Sequence, residues 1–439
     1  MRQNKKPEHV GDSQKRGHAL EVVTFGCRLN IVESEAIKAQ AQAAGLSNLA
    51  IVNTCAVTSE ATRQARQAIR RLKREQPERA VVVTGCAAQI EPAAFAAMPE
   101  TARVIGNGEK MRAETWAALA RSNSLHAPAA PEDKLAVDDI MRQSGLRTLV
   151  PAGFTAHTRG FVQVQNGCDH RCTFCVIPFG RGNSRSLAVA DVVAQCRRLV
   201  EAGTREVVLT GVDLTSYGHD LADAPPLGRL VRAILRELPE LPRLRLSSID
   251  AVEVDDELRD LIATERRLMP HLHLSLQAGD DLILKRMKRR HSRDDAIRFC
   301  AEIRALRPDM VYGADLIAGF PTEEEAMFSR SLALIEECGL SFVHVFPYSA
   351  RPGTPAARMP QLAGEIVSER AARLRGAASA AHARHLQARI GRQLTVLTER
   401  GNTGRAEDFT LLRFSRDVAP GAILPVTAQA GDEKALLAA

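Results

Sequence analysis

Residues 166–182, "NGCDHRCTFCVIPFGRG", set Cys168, Cys172 and Cys175 in a C-x3-C-x2-C spacing. The run "FVQVQ" just before them (161–165) alternates and is rich in strand formers, so it reads as a strand delivering the loop at its carboxyl end. A short loop with this spacing gathers three thiolates, the usual ligands of a [4Fe–4S] cluster, and leaves one iron free for another ligand. Structural zinc is the competing reading. It wants four protein ligands, and the only nearby fourth donor is His170, inside the loop itself.

Downstream, "EVVLT", "RLRLSSI", "LHLSL", "VYGADLIAG" and "FVHVFP" continue as strands, separated by amphipathic segments such as "SRDDAIRFCAEIRALR". Six β/α units in succession predict an open or partial (β/α) barrel over 158–385, with its reactive centre at the carboxyl ends of the strands. Upstream, residues 19–120 show the same alternation and predict a smaller parallel α/β domain. Three of its strands end on a cysteine: "VVTFGC" at Cys27, "AIVNTC" at Cys55 and "VVVTGC" at Cys86. The intervals, 55 − 27 = 28 and 86 − 55 = 31, are about one β/α unit each. Neighbouring parallel strands would therefore bring the three thiols to one sheet edge. Three thiolates fall short of a structural zinc site and suit a second iron–sulfur cluster with an open iron; the alternative is three unrelated buried cysteines.

Residues 121–157, with Pro128, Pro131 and Pro151 and no clear period, read as a linker. A long Ala- and Arg-rich helix is predicted near 365–390. From 386 to 439, "QLTVLTER", "FTLLRF" and "GAILPVTAQ" alternate like the short strands of a small β module. The surplus of 59 Lys and Arg over 52 Asp and Glu is compatible with a nucleic-acid partner, while 4% aromatic content argues against a surface built mainly on base stacking. Nine cysteines, an odd number in a long chain, favour metal ligation or thiol chemistry over a disulfide framework; Cys196, Cys300 and Cys338 fall in helical apolar patterns and read as core. The N-terminus is basic and polar, resembling neither a secretory signal nor an anchor, so the protein is expected in the cytoplasm. The twelve histidines show no H-x-x-H or HExxH spacing, and no histidine site is assigned.

The C-x3-C-x2-C loop after the first of six β/α units resembles the radical S-adenosylmethionine (SAM) enzymes. With the second triad the match narrows: "TFGCRLNIVESE", "IVNTCAVTSEATRQARQ" and "VVVTGCAAQIEP" resemble the N-terminal domain of the methylthiotransferases. "VVLTGVDLTSY", "HLHLSLQAGDD" and "GADLIAGFPTE" resemble their radical SAM domain, and the C-terminal segment their small RNA-binding β-barrel (TRAM). The resemblance implies SAM and two [4Fe–4S] clusters as cofactors. Cys168, Cys172 and Cys175 would hold the cluster that binds SAM, and Cys27, Cys55 and Cys86 the auxiliary cluster that carries the sulfur to be inserted. It also implies an electron donor such as flavodoxin or ferredoxin, and a sulfur source.

At the strand ends, Asp213, Ser275, Gln277 and Asp315 are candidates for polar contacts to SAM, the alternative being residues that cap the next helix. Gly319, before "FP", reads as a tight turn letting backbone approach the adenine. Arg181 and Arg185 are read as holding either the SAM carboxylate or a substrate phosphate. Lys285 and Arg289, within the basic run "LKRMKRRHSR", are read as phosphate contacts. Among the branches, the wording most resembles the one acting on threonylcarbamoyladenosine in tRNA, although Ile31 stands where that branch would have tyrosine. The branches acting on isopentenyladenosine in tRNA and on a ribosomal-protein aspartate are the alternatives. A non-catalytic iron–sulfur scaffold or electron carrier, needing no SAM contacts, is the reading from a different class.

Overall fold

The computed structural model describes residues 8–10, 20–122, 125, 129–148 and 158–439. Its chain groups into two compact units. The first comprises Met1–Ala156 with Asn166–Arg171 and Cys175–Arg185; the second comprises His157–Gln165, Cys172–Phe174 and Ser186–Ala439.

The first unit is built on a six-stranded sheet in simple sequence order. Glu8–Val10 pairs antiparallel at one edge, and Glu21–Thr24, Leu49–Thr54, Ala80–Gly85, Arg103–Ile105 and Leu135–Ala136 run parallel. Leu49–Thr54 and Ala80–Gly85 are buried along their whole length, as expected for parallel strands covered on both faces. The period of two sends Val23, Ala50, Val52, Val81 and Val83 into one core with Ile69, Leu72 and Phe95. Val22, Ile51 and Val82 go to the other, around Trp116. Each such side chain contributes about 1.5–3 kcal/mol by leaving water, and a one-residue slip would exchange the two faces wholesale. The helix Ser59–Glu75 covers the first core through Ala65, Ala68, Ile69 and Leu72 and is capped by Thr58, whose hydroxyl accepts from the Ala61 amide.

The expected linker differs from its reading. Pro128 and Pro151 lie outside the described residues, as does most of the basic N-terminus, but Leu135–Ala136 joins the sheet as its sixth strand. Its absence of period reflects length: two residues at an edge leave no pattern to read.

In the second unit six parallel strands succeed one another: Gly160–Gln163, Glu206–Thr210, Arg243–Leu246 continued by Ser248–Ile249, His271–Gln277, Val311–Ala318 and Leu340–Pro347. A break at Ser247 divides them into sheets of three and four strands, the form of a partial (β/α)6 barrel. The helix Gly364–Arg389 packs along the last strands, and a closed five-stranded β-barrel follows over Gln393–Ala438. The small barrel is tied to the third large-barrel strand: Arg243 donates to the carbonyls of Thr395 and Arg405. Arg245 donates to Glu206 and Glu407 O, while Phe409, at φ +76°, stacks on His271 beneath the guanidinium of Arg405. Among the described residues no helix is long and apolar enough to cross a membrane.

Candidate functional site

In the first unit the parallel register sets Thr24 opposite Asn53 and Thr54 opposite Gly85. Cys55 and Cys86 therefore leave adjacent strands side by side, and Cys27 follows three residues after its strand. Gly26, at φ +99°, carries that loop against Cys55: a Cβ there would stand 2.7 Å from the Cys55 Cβ and 2.8 Å from its Sγ, so no other residue fits. Burial pushes the Cys55 thiol up to about 12, and the charges of Cys27 and Cys86 push in the same direction. Three thiols brought to one sheet edge are a donor set suited to a positive metal centre, and Cys27 is exposed while the other two are buried, leaving one open side.

Beneath these cysteines lies a buried ion cluster. Arg181 donates to Glu33 Oε1 at 2.8 Å and to Asn30 Oδ1 at 2.6 Å; Lys110 Nζ donates to Glu33 Oε2 at 2.8 Å and Asn53 Oδ1 at 3.3 Å. Asn30 in turn donates to the carbonyls of Phe25 and Thr54, the residues flanking the turns into Cys27 and Cys55. Burial alone would raise the Glu33 carboxyl, but Arg181 and then Lys110 draw it down to about 2. Burial opposes the charge of Arg181; Cys86, Glu33 and Cys27 outweigh it and hold the guanidinium well above its ordinary range. Arg181 is thus placed differently from the sequence expectation. It is fully buried and committed to Glu33, Asn30 and Asn166, so it offers no edge to a SAM carboxylate or a substrate phosphate. Glu33, Asn30 and Lys110 were missed. The available signal was Asn30 and Glu33 at i, i+3 on the helix Arg28–Ala43, since a carboxylate on an inward face demands a cation.

The C-x3-C-x2-C loop is fixed by its backbone. Gly167, at φ +78°, has Asn183 O where a Cβ would sit (1.9 Å), and the Cys168 amide donates to Gly182 O. Arg171 donates to Cys168 O, Asp169 accepts from the Ser184 amide, and the Ile177 amide lies 3.5 Å from Cys175 Sγ as a donor. In the second unit Thr173 is tied to the Met287 and Arg286 carbonyls. There Arg289 directs Nη1 at Cys172 Sγ (3.7 Å) and Nη2 at Asp250 Oδ2 (2.7 Å) and Ser275 O (2.8 Å). Arg289, expected on phosphate, is instead turned inward onto a cysteine and a carboxylate. Its neighbour Lys285 is exposed, as a phosphate contact requires.

Of the remaining candidates, Asp213 is half-buried after the second strand, its amide donating to Gln165 Oε1 and its carboxylate accepting from Thr215. Ser275 and Gln277 share a half-buried face of the fourth strand, where the register shifts after Leu274 and Gln277 takes φ +69°. A non-glycine residue in that region inside a strand is a deliberate re-aiming of backbone. The Gly319 amide donates to Glu323, and at φ +75° the glycine has Val367 at 2.8 Å where a Cβ would point, so helix packing as well as the turn demands it. Arg185 donates to Arg181 O and Asn183 O, within its own loop. Asp315 differs most: its Oδ1 accepts from His273 Nε2 at 2.8 Å and His344 Nδ1 at 3.1 Å. Burial would raise its carboxyl, yet these two histidines hold it far below the usual carboxylate range. This oxygen is taken, and His273 and His344 meet on it although they lie outside any H-x-x-H or HExxH spacing.

A partial (β/α)6 barrel with a C-x3-C-x2-C loop after its first strand defines the class: a radical SAM enzyme. Residues 162–335 match the Radical SAM superfamily and residues 19–106 the Uncharacterized protein family UPF0004. Over 403 residues the chain is 47% identical to threonylcarbamoyladenosine tRNA methylthiotransferase MtaB of Rickettsia prowazekii (strain Madrid E), covering 92% of this chain and 93% of that one. Identity to the Bacillus subtilis (strain 168) protein of the same name is 34%, over 80% and 78% of the two chains. Identity to tRNA-2-methylthio-N(6)-dimethylallyladenosine synthase of Cereibacter sphaeroides (strain ATCC 17029 / ATH 2.4.9) is 33%, over 87% of each. Among solved structures, the radical SAM methyltransferase TsrM of Kitasatospora setae aligns with a TM-score of 0.49 and 18% identity, over 75% of this chain and 68% of that one. The chain belongs to the radical SAM tRNA methylthiotransferase family.

Proposed function

We propose that this protein inserts a methylthio group at C2 of threonylcarbamoyladenosine, the modified purine beside the anticodon of tRNA. The observation that carries the reading is 47% identity over nearly the whole of both chains to a methylthiotransferase of that specificity, in a chain bearing both cysteine triads. Cys168, Cys172 and Cys175 would hold the SAM-binding [4Fe–4S] cluster, and Cys27, Cys55 and Cys86 the auxiliary one. When bound, these groups supply a 5′-deoxyadenosyl radical from SAM and the sulfur that is transferred.

The chain's own residues position and insulate. Glu33, Arg181 and Lys110 balance charge under the auxiliary triad, and the Asn30 contacts fix the loops from which Cys27 and Cys55 project. Arg289 offsets negative charge at Cys172 and braces the fourth strand through Ser275 O. Asp213, Ser275, Gln277 and Gly319 are the SAM-facing candidates, and Lys285 a phosphate contact to tRNA. The target base must leave its stack to be reached. A low-potential one-electron donor of the flavodoxin or ferredoxin kind and a sulfur source complete the cycle.

Nucleoside mass spectrometry of tRNA from cells with and without the gene tests the proposal. Loss of the methylthio form with accumulation of threonylcarbamoyladenosine is the expected result. Loss of methylthio-isopentenyladenosine instead would transfer the protein to the other tRNA branch, which its 33% identity to a dimethylallyladenosine enzyme keeps as the second reading.

A further inference from the structure

Three adjacent strands of the large barrel carry a second set of ligand-type side chains, separate from the six cysteines. Asp315 stands directly opposite His344 in the ladder, and His273 stands opposite Gly313, two residues before Asp315 on the same face. His273 Nε2 and His344 Nδ1 converge on one carboxylate oxygen, and the three ligand atoms all lie within 4.8 Å of one another. The imidazole rings are 4.7 Å apart between centroids, tilted by 37°. Gly313 keeps the arrangement open, because a Cβ there would stand 2.5 Å from His273 Nδ1. Side-chain exposure rises from 11% at His273 through 25% at Asp315 to 47% at His344, so the cluster is closed behind and open in front.

Two imidazoles and one carboxylate are the donors chosen by zinc, ferrous iron and other borderline divalent ions, in sites that retain positions for exogenous ligands. Metal–ligand bonds of ~2.0–2.1 Å in tetrahedral geometry place ligand atoms ~3.4 Å apart. The 2.8 and 3.1 Å separations from Asp315 Oδ1 lie a few tenths of an ångström below that value. We propose that His273, Asp315 and His344 form a mononuclear divalent-metal site of the zinc class, its free positions facing the open side at His344 and taking water or an anionic oxygen.

The test uses the full chain with both clusters assembled, incubated with Zn2+ and desalted through a weak chelator, with zinc and iron counted by mass spectrometry. Wild type should retain one zinc per chain. Asp315→Asn and His344→Ala should retain it at least ~10-fold more weakly, with iron content and cluster absorbance unchanged. Zinc-edge X-ray absorption of the wild type, which needs no variant to fold, should report nitrogen and oxygen neighbours alone. Sulfur neighbours, equal retention by the variants, or no zinc in the wild type would overturn the proposal and leave an ordinary hydrogen-bonded Asp–His cluster.

Discussion

The two units assemble chemistry-bearing side chains by the same topological device and different local means. In the first, Cys27, Cys55 and Cys86 sit just beyond the strand ends, Cys27 and Cys55 in the turns and Cys86 at the start of the helix Cys86–Ile90, outside the ladder itself. In the second, His273, Asp315 and His344 sit within the ladder, where strands ~4.8 Å apart hold facing side chains at nearly fixed separation. Ligands outside the ladder can open to the width of a multi-iron cluster; ladder-borne ligands are sized for a single ion. The loops need support that the ladder does not, and each unit supplies a buried arginine beside its cysteines: Arg181 in the first, Arg289 in the second.

The largest effects should separate the two cysteine triads. Cys86→Ala should abolish methylthio insertion while leaving SAM cleavage largely intact, whereas Cys172→Ala should abolish both. 5′-Deoxyadenosine release and tRNA nucleoside analysis read the two steps. Equal loss of SAM cleavage in both variants would mean the triads do not divide the labour.

Next in size is the support under the first triad. Glu33→Gln leaves Arg181 and Lys110 buried beside each other without their carboxylate, a change that costs about 3–5 kcal/mol. Trp116, the one tryptophan of the chain, is buried in the first unit and reports its unfolding by fluorescence. The pH dependence has a definite sign. The Glu33 carboxyl is depressed from 4.5 to about 2 on folding, so its contribution is fully present above pH 4.5 and is lost as pH falls towards 2. Glu33→Gln should remove that part of the acid sensitivity; an unchanged urea midpoint at neutral pH would show that the ion cluster carries no stability.

Much of this was legible in the sequence, for identifiable reasons. The β/α alternation and both cysteine triads could be read because buried parallel strands announce themselves as apolar runs and a cysteine at a strand end stands out. The charged supports could not. "GRGNSRS" looks like a surface loop, and only the fold brings Arg181 to Glu33, 148 residues away. The histidine cluster was missed by searching for helical spacing. Its intervals, 42 residues from His273 to Asp315 and 29 to His344, are of the order of the β/α step that revealed the cysteines. The same rule applied to histidine and aspartate would have found it.

Arg289→Met tests whether the second unit's arginine matches the first's in role. Removing the cation 3.7 Å from Cys172 Sγ and freeing Asp250 should slow SAM cleavage by roughly 10–100-fold, as loss of outer support does at metal sites. The cluster's electron paramagnetic resonance signal should shift as well. Lysine should rescue poorly, since it cannot serve Cys172, Asp250 and Ser275 O through one planar fork. Wild-type kinetics with an unmoved signal would reduce Arg289 to a strand brace.

The smallest effect belongs to Lys285, four residues earlier in the same basic run and facing outward. Lys285→Gln should weaken tRNA binding by less than about tenfold and lower the slope of log affinity against log salt by ~0.7–0.9, the signature of one phosphate contact. Arg289→Met should leave that slope untouched, because its charge is already turned to Asp250 and Cys172. Measured together, the two slopes decide whether "LKRMKRRHSR" acts as one electrostatic patch or as two opposed faces, one holding a cluster ligand and one meeting RNA. Equal slope changes in the two variants would favour the single patch and undo the inward assignment of Arg289.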